Sequence, residues 1–432
     1  MRVCVSGLWH LGTVTAACLA AVGHDVIGHD PDPERVELLA AGKSPIQEPG
    51  LDALLGEGLA SGRLRFSSDL AAAARDSKVV WITHDTPVDD ADRADPGSVI
   101  HSATAFFPFL ESGSVFLVSS QLPVGSTRDL MRTFDRSRGD RIVAFAYSPE
   151  NLRLGTAIDS FTKPERIVVG IEDPNGKAVI SALLAPLGAP IEWMAIEAAE
   201  MTKHALNAFL ATSIVFINEI ATICESVGAD VVEVVRALRG DPRVGQRAYL
   251  GFGTGYAGGT LGRDVTYLAD LVSSRGMDTP LLASVGPSNR NQHQWVRRTL
   301  VSQLGDLRGL RIGIWGLTYK PGTDTLRRSA SIELCKWLAD QGAIPTAHDP
   351  AVRVLPTDLS GRIALHPDAL GAIRDADALV LMTPWPDYRS VPADSVVAEL
   401  RQPVVIDPGR FLASLMANDP RLRYSAVGLA RA

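Results

Sequence analysis

The chain has 432 residues, which is too long for one ordinary hydrophobic core, so we expect two or three domains. With 46% apolar and 21% charged residues, it has the composition of a folded globular protein. Its formal net charge of -7 argues against a general nucleic-acid binder and against binding to anionic membranes.

The first apolar stretch, residues 3–24, contains no Asp, Glu, Lys or Arg, as a membrane anchor would. Gly7 and Gly12 interrupt it, and Arg2 is the only basic residue before it. A strand, a glycine turn and a helix of small residues explain the stretch better. We therefore expect neither a signal anchor nor a membrane span here.

The four cysteines are far apart and have neither CxxC spacing nor the spacing of metal ligands. They are Cys4, Cys18, Cys224 and Cys335. We expect buried free thiols in a reducing cytoplasm, and no metal site.

Short β-branched runs alternate with helical patterns in the first half of the chain. Strands are expected at 2–6, 25–28, 79–83, 115–119 and 142–147, with helices at, for example, 14–22 and 33–41. Apolar strands between amphipathic helices predict a parallel sheet covered on both faces.

An uninterrupted helical pattern follows from residue 196 to about 227, where Gly228 ends it. It is longer than a usual globular helix, which favours a spine between two domains and a dimer interface. Shorter helices follow to about residue 297.

From Leu310 the alternation of strand and helix patterns begins again. Strands are expected at 311–315, 344–348, 378–382 and 403–406, with a helix at 332–341. We predict an α/β fold with two Rossmann-like doubly wound domains, joined by the long helix and a small helical domain. The predicted domains are 1–195, 196–297 and 298–432.

The segment Gly7-Leu-Trp-His-Leu-Gly12 lies after the first predicted strand, where the dinucleotide fingerprint GxGxxG belongs. Asp30 ends the second strand and is placed to accept hydrogen bonds from a ribose, which favours NAD over NADP. Trp9 replaces the middle glycine, so its indole could obstruct the backbone's approach to a pyrophosphate. The alternative is a βαβ unit that keeps this shape but binds no dinucleotide.

Residues 251–264 read Gly-Phe-Gly-Thr-Gly-Tyr-Ala-Gly-Gly-Thr-Leu-Gly-Arg-Asp. This segment resembles the active-site loop of the UDP-glucose/GDP-mannose dehydrogenase family, the nucleotide-sugar 6-dehydrogenases. That loop is glycine-rich, continues with Ser-Cys and closes on Lys-Asp. The resemblance places Thr260 at the nucleophilic cysteine and Arg263 at the lysine, and it retains Asp264.

Three further segments carry the same resemblance. The long helix contains a Glu-Met-x-Lys run followed by Asn-Ala-Phe-Leu-Ala-Thr and Phe-Ile-Asn-Glu, which implies that Lys203 and Asn207 stabilise an oxyanion. Ser148-Pro-Glu-Asn-Leu-Arg153 resembles the segment whose glutamate acts on water, here Glu150. In Ser120-Gln-Leu-Pro-Val-Gly125, Gln121 replaces a threonine that assists catalysis.

Residues 316–324 resemble the family's turn that helps to bind the UDP moiety, with Lys320 and Arg327 to neutralise phosphate. The pattern is altered at Thr325, Arg328 and Pro384. The alternative interpretation of these charges is a solvated surface at a domain junction.

The resemblance thus implies three sets of site residues and no metal. The catalytic set is Lys203, Asn207, Asp264, Glu150, Thr260 and Gln121. The cofactor set is Gly7, Trp9, His10, Leu11, Gly12, Asp30, Arg35, Thr86 and Pro87, with Asp85 at a usually uncharged position beside it. The substrate set is Glu150, Leu152, Arg153, Lys203, Asn207, Tyr249, Gly255, Gly258, Lys320 and Arg327.

Three functions stay open because a hydroxyl at Thr260 is barely ionised near neutral pH unless a base activates it. The first is an NAD-dependent oxidation of a nucleotide sugar that stops after one step or is reversed as in an epimerase. The resemblance implies that this nucleotide sugar is a UDP-hexose. The second is the full oxidation to a uronic acid through a hydrated aldehyde, with Glu150 activating water. The third is a protein that binds a nucleotide sugar without turnover.

The retained Lys203, Asn207, Glu150 and Asp264 favour altered catalysis over a dead enzyme. The segment 241–245 is similar to a family stretch that contacts the partner subunit, which favours a homodimer.

Overall fold

The structure is a computed structural model that describes residues 1–89, 93–137, 139–150, 152–256 and 259–430. The chain divides into two compact units, Met1–Leu206 and Asn207–Ala432. Each unit contains one doubly wound sheet, of eight strands in the first and six in the second. The predicted α/β fold with two Rossmann-like sheets is confirmed.

The sheet of the first unit is parallel except at one pair of strands. Its strands are β1 (Arg2–Ser6), β2 (Asp25–His29), β3 (Leu64–Ser67), β4 (Val79–Ile82), β5 (Val115–Val118), β6 (Ala144–Tyr147), β7 (Ile167–Ile171) and β8 (Ile191–Met194). Their order is β3-β2-β1-β4-β5-β6-β7-β8, and only β6 and β7 pair antiparallel. All residues of β4 and β5 are buried, as expected for strands covered on both faces.

Helices cover both faces of this sheet. They are α1 (His10–Ala21), α2 (Pro33–Ala40), α3 (Leu51–Ala60), α4 (Leu70–Ala74), α5 (Gly97–Thr104), α6 (Ser126–Asp135), α7 (Ala157–Thr162) and α8 (Pro174–Leu184), with 3-10 turns at Phe107–Phe109 and Ala185–Leu187. Helix α1 begins at His10 rather than at the predicted residue 14, directly after the glycine turn. Its residues 11–20 are all buried, so its apolar composition reflects a core position.

Helix α9 (Ile196–Val227) has the predicted bounds. Gly228 follows it with φ +78°, a left-handed conformation that ends helices and favours glycine. By length and composition, α9 is the one described helix that could span a membrane, a test that core helices of water-soluble proteins also pass.

The second unit has four further helices before its sheet and three within the sheet domain. They are α10 (Val231–Gly240), α11 (Gly259–Ser274), α12 (Pro280–His293), α13 (Trp295–Leu304), α14 (Ala330–Asp340), α15 (Ala393–Glu399) and α16 (Ala413–Met416), with 3-10 turns at Gly371–Ile373 and Pro386–Ser390. The predicted division into three domains at residues 195 and 297 stays a prediction.

The sheet of the second unit is parallel throughout. Its strands are β9 (Arg311–Trp315), β10 (Ile344–His348), β11 (Ala364–Leu365), β12 (Ala378–Leu381), β13 (Val404–Ile406) and β14 (Arg423–Ser425). Their order is β11-β10-β9-β12-β13-β14. The strand order reverses beside β9, as it does beside β1 in the first unit, and such switch points are where α/β sheets bind ligands.

Candidate active site

The glycine turn after β1 has no room for side chains at its two ends. Gly7 has φ +99°, and a Cβ there would lie 2.6 Å from the His84 backbone nitrogen. A Cβ at Gly12 would overlap the Gly7 carbonyl oxygen and the Thr83 hydroxyl. Because α1 begins at His10, the turn delivers the amino end of a helix, with its free N–H groups and positive potential, to the edge of the sheet.

Asp30, at the end of β2, organises the pocket beside this turn. Its buried carboxylate accepts hydrogen bonds from the Leu8 backbone N–H at 2.7 Å and from the Arg35 guanidinium at 3.0 Å. Arg35 also lies 5.4 Å from the centre of the Trp9 ring. A cavity of about 370 Å³ opens here, lined by Gly7, Trp9, Asp30, Arg35, His84 and Asp85.

Trp9 is 40% exposed and forms part of the wall of this cavity. The turn therefore forms although Trp9 stands at the position of the middle glycine. The room beside Asp30, the helix terminus and the sterically required Gly7 and Gly12 fit a dinucleotide.

His84 begins the segment 84–87 that was expected to lie beside the cofactor, and it lines the same cavity as Asp30. Its Nε2 lies 3.0 Å from the Ser6 hydroxyl, which also lies 3.0 Å from Nδ1 of His29. Burial lowers the pKa of His84 to about 4, so the imidazole is neutral near neutral pH. The pocket therefore holds the Asp30 carboxylate with only the Arg35 guanidinium as its charged partner in hydrogen-bond contact.

The other predicted cofactor residues are not in the lining of the cavity beside Asp30. His10 Nε2 lies 3.1 Å from the buried Glu48 carboxylate, and Leu11 lines a separate cavity. The Thr86 hydroxyl donates to the Gln121 carbonyl at 2.6 Å, and Pro87 is exposed.

Lys203, near the start of α9, is buried and contacts the segment after β6. Its ammonium donates to the Glu150 carbonyl at 2.6 Å and lies 3.5 Å from the Glu150 carboxylate. Together with Leu152, these residues line a cavity of about 140 Å³ in the first unit. Arg153 is exposed. The structure thus brings together an acid, an ammonium group and an enclosed space.

The same first turns of α9 hold the segment that carries Gln121. The buried Glu200 carboxylate accepts hydrogen bonds from the backbone N–H groups of Gly125 at 2.6 Å and Thr127 at 2.9 Å. His204 Nε2 lies 3.0 Å from the Leu122 carbonyl oxygen. Burial raises the pKa of Glu200. The sequence analysis did not single out Glu200 and His204, although both lie within the helical run that includes Lys203.

In the second unit, Asn207 and Asp264 form a buried pair. The Asn207 amide donates a hydrogen bond to the Asp264 carboxylate, and both side chains are buried. Asn207 lies on α9, and Asp264 lies on α11, which also carries Arg263 and Thr260. The amide therefore fixes the orientation of the carboxylate.

Thr260 is exposed at the second position of α11. Within the described residues, no side chain forms a hydrogen bond with its hydroxyl. The hydroxyl is therefore not paired with a base among the described residues, as an activated hydroxyl nucleophile would be.

The cysteines of the chain are packed in its hydrophobic cores. All four cysteines are buried and free, as the sequence indicated. Burial raises the pKa of Cys18 and of Cys335 to about 12, and it raises that of Cys4 as well. Thiols in such surroundings are unreactive.

The loop before α11 borders a cavity of about 620 Å³ in the second unit, whose lining includes Tyr249 and Gly255. Two side chains that the sequence analysis did not single out fix this loop at Gly253. The Asn218 amide oxygen accepts from the Gly253 N–H at 2.9 Å, and the Gln292 amide donates to its carbonyl at 2.6 Å. The predicted site residue Gly258 lies outside the described residues.

The turn after β9 is organised by Asp349. Gly316 has φ +89°, and the next N–H, of Leu317, donates to the Asp349 carboxylate at 2.7 Å. Lys320 and Arg327, which were predicted to bind phosphate, are not in the lining of the 620 Å³ cavity. Arg327 is exposed, and Lys320 lies 5.6 Å from the Tyr319 ring centre.

A metal site is not found in the part of the chain that the structure describes. There, no cluster of three or more His, Cys, Asp or Glu side chains could hold a metal ion. The carboxylate, ammonium and amide groups described above are of the kinds that general acid–base catalysis and oxyanion stabilisation use.

Three domain models of the UDP-glucose/GDP-mannose dehydrogenase family match the chain. They are the NAD binding domain at residues 1–188, the central domain at 197–291 and the UDP binding domain at 313–414. The NAD binding domain model covers the glycine turn, Asp30 and the Gln121 and Glu150 segments.

Individual proteins agree with these matches over the whole chain. UDP-glucose 6-dehydrogenase of Rhizobium meliloti (strain 1021) is 34% identical over 99% of this chain and 99% of its own. UDP-glucose 6-dehydrogenase of Pseudomonas aeruginosa is 34% identical over 100% of this chain and 98% of its own. The structure of a UDP-glucose dehydrogenase from Pyrobaculum islandicum superposes with a TM-score of 0.90 at 30% identity, covering 99% of this chain and 98% of that one.

Proposed function

The chain belongs to the UDP-glucose/GDP-mannose dehydrogenase family and is an NAD-dependent dehydrogenase, and we propose that it oxidises a CH–OH group of a nucleotide sugar, a UDP-hexose, in a single or transient step. The observation that carries this proposal is Thr260, an exposed threonine whose hydroxyl forms no hydrogen bond with a base among the described residues. In this proposal the chain carries out fewer oxidation steps than a UDP-glucose 6-dehydrogenase does.

The residues of the site have separate roles in this proposal. NAD, when bound, accepts a hydride from the substrate carbon. Asp30 holds the ribose of the cofactor, and the amino end of α1 faces its pyrophosphate. The Lys203 ammonium and the Asn207 amide stabilise the negative charge on the substrate oxygen, because both are hydrogen-bond donors in buried surroundings. Asp264, oriented by Asn207, accepts the proton of the substrate hydroxyl.

The reaction stops at the carbonyl in this proposal because the second oxidation lacks its covalent step. A threonine hydroxyl that no base activates is a weak nucleophile, and the four thiols of the chain are buried. The carbonyl product is then released, or it is reduced again, as in an epimerase.

One observation favours a second candidate, the full oxidation to a uronic acid. Glu150 keeps its place 3.5 Å from the Lys203 ammonium, where a carboxylate could activate water to hydrate an aldehyde. A hydrated aldehyde is a substrate for a second hydride transfer without a covalent bond to the enzyme.

A mass spectrum of the nucleotide sugar after incubation with NAD and a panel of UDP-hexoses distinguishes these candidates. A product that has only lost two hydrogen atoms, or an epimer of unchanged mass detected by chromatography, supports the shortened reaction. A product that has also gained one oxygen atom contradicts it and supports the uronic acid. Thr260→Cys is the matched variant, and we expect it to form acid that the unchanged protein does not form.

Lys203→Ala tests the catalytic role of the ammonium. We expect turnover to fall by about two to three orders of magnitude, since oxyanion donors contribute on this scale, while NAD binding persists. Lys163→Ala is the control, because Lys163 is 78% exposed and pairs only with Asp159 on its own helix. Unfolding of the Lys203 variant, seen as lost cooperativity in thermal melting, would instead assign the lysine to helix packing.

A homodimer and a cytoplasmic location also belong to this proposal. Within the second unit, α9 exposes Phe209 (67%), Phe216 (49%), Ile223 (55%) and Val227 (69%). The first three recur every seven residues, which is the spacing of a helix–helix seam. Light scattering should give twice the chain mass, and Phe216→Glu should give the monomer. Buried free thiols agree with a reducing compartment.

A further inference from the structure

The cofactor pocket of the first unit contains two residues that point to different dinucleotides. An acid at the end of the second strand, here Asp30, accepts hydrogen bonds from a ribose, whereas a nearby arginine can accommodate the 2′-phosphate of NADP. Arg35 is such an arginine, because it lines the same cavity of about 370 Å³ as Asp30 and its side chain is 29% exposed. The treatment of NADP therefore depends on how the Arg35 guanidinium is held.

Both amino groups of the Arg35 guanidinium are directed at carboxylates of the protein. Nη1 donates to the Asp30 carboxylate at 3.0 Å, and Nη2 lies 3.4 Å from the Asp32 carboxylate. Asp32 is itself fixed, because it caps α2 by accepting hydrogen bonds from the backbone N–H groups of Glu34 and Arg35. The planar fork that could bind a phosphate is thus already occupied at both ends.

Trp9 supports the same guanidinium from a third side. The central carbon of the Arg35 guanidinium lies 5.4 Å from the centre of the Trp9 ring, within the range of a cation–π attraction. The indole is 40% exposed and lines the same cavity. A glycine, which the dinucleotide fingerprint has at this position, would offer the guanidinium no such surface.

The rest of the lining offers a phosphate no other positive charge. It consists of Gly7, His84 and the acid Asp85. Burial lowers the pKa of His84 to about 4, so its imidazole is neutral near neutral pH. Among the described residues of this lining, Arg35 is therefore the only cation that could neutralise a 2′-phosphate, whose charge is about -1.5 to -2 at pH 7.

We propose that Trp9 is a positioning residue for cofactor selectivity. Its indole holds the Arg35 guanidinium against Asp30 and Asp32, and the chain discriminates against NADP because this guanidinium is kept from a 2′-phosphate. This role rests on the proposed position of the cofactor ribose beside Asp30, and it is independent of which sugar is oxidised. The indole at the middle position of the fingerprint thereby has a function of its own.

Calorimetric titration of the full-length protein with NAD and with NADP tests this role. Both dinucleotides contain the pyrophosphate, so any effect of the turn on its approach cancels in the ratio of the two dissociation constants. Trp9→Gly should reduce the preference for NAD by about three- to fivefold, or about 0.6 to 1 kcal/mol. Trp9→Phe keeps an aromatic face and should retain the preference. Phe109→Ala removes an equally exposed ring outside this cavity and should change neither affinity.

A second set of variants shows whether Trp9 acts through Arg35. In the background of Arg35→Met, Trp9→Gly should no longer alter the ratio. Trp9→Leu keeps an apolar side chain in the turn without its aromatic face, and it should give the same shift as Trp9→Gly if the glycine variant melts early.

The possible results separate the role of Trp9 from the proposed position of the ribose. Asp30→Asn should also reduce the preference for NAD, because it removes a negative charge that repels the 2′-phosphate. If this variant changes the ratio while Trp9→Gly and Trp9→Leu do not, the role of Trp9 alone is overturned. The same conclusion follows if Trp9→Gly changes the ratio equally without the Arg35 guanidinium. If none of these variants changes the ratio, the position of the ribose beside Asp30 is wrong as well.

Discussion

The two sheets of this protein contain the same turn, used in two ways. Gly7 and Gly316 each follow the first strand of their sheet, with φ +99° and +89°. In both cases the N–H of the next residue, a leucine, donates at 2.7 Å to an aspartate at the end of the second strand, Asp30 or Asp349. The two turns therefore share the same backbone conformation and the same hydrogen bond to an aspartate.

The difference lies in what else the two aspartates bind. Both accept a hydrogen bond from the N–H two residues further on, of Asp32 or Ala351. Asp349 also accepts from the Thr318 N–H and hydroxyl and from the Trp385 indole, whereas Asp30 accepts from the Arg35 guanidinium and faces a cavity. The glycine sets the backbone conformation of each turn. An aspartate can accept a hydrogen bond from a ligand only where donors of the protein do not already occupy its oxygens.

The largest effect should come from adding a methyl group at Gly12. We expect Gly12→Ala to weaken NAD binding by at least about a hundredfold and to cost about 3 kcal/mol of stability, because the new Cβ overlaps the Gly7 carbonyl. NAD titration and urea unfolding measure both quantities. Gly56→Ala, in a helix with no atom within 4 Å of the new Cβ, should leave both nearly unchanged.

Gly316→Ala completes this comparison from the second turn. Its Cβ would overlap Thr383, so stability should fall while NAD affinity stays the same. A loss of NAD affinity in this variant would show that the two turns do not act independently.

Neutralising each aspartate should have smaller effects, on NAD affinity in one turn and on stability in the other. Asp30→Asn should weaken NAD binding by about tenfold, since a charged acceptor for ribose is lost. Asp349→Asn should leave NAD binding unchanged and cost about 2 kcal/mol of stability, because several buried donors lose their charged acceptor. Equal effects of the two variants on NAD binding would remove the distinction between the turns.

A further effect appears only at acid pH and concerns the side chain that lies against each glycine. His84 lies against Gly7, where Thr383 lies against Gly316. Burial lowers the pKa of His84 to about 4, so protonation favours the unfolded chain, and stability is lost as pH falls from about 6.5 toward 4. The melting temperature of His84→Gln should fall less over this range, whereas Thr383→Val should follow the unaltered protein.

Strands and helices with a clear hydrophobic pattern could be predicted from the sequence. β1, α9, β9 and β10 have the predicted bounds, because an apolar run or an unbroken helical period is sufficient to define them. The start of α1 was placed four residues late, since Trp9 and His10 do not have the composition of a helix start. Motifs identified Lys203, Asn207 and Asp264, which are buried in the structure.

Residues that act through tertiary contacts could not be predicted in this way. His84, Glu200 and Gln292 reach partners distant in sequence, at Ser6, Gly125 and Gly253. Glu200 belongs to the Glu-Met-x-Lys run that resembles the family, but the sequence did not indicate which contact its side chain makes.

The exposure of Thr260 has a consequence for how new reactions could arise on this scaffold. A solvent-facing position near the start of a helix tolerates most side chains at a cost within about 0.5 kcal/mol. The reacting group can therefore be exchanged without endangering the fold, while the buried residues keep the surrounding geometry. A library of all amino acids at position 260 is thus a direct way to ask which chemistries one framework can host.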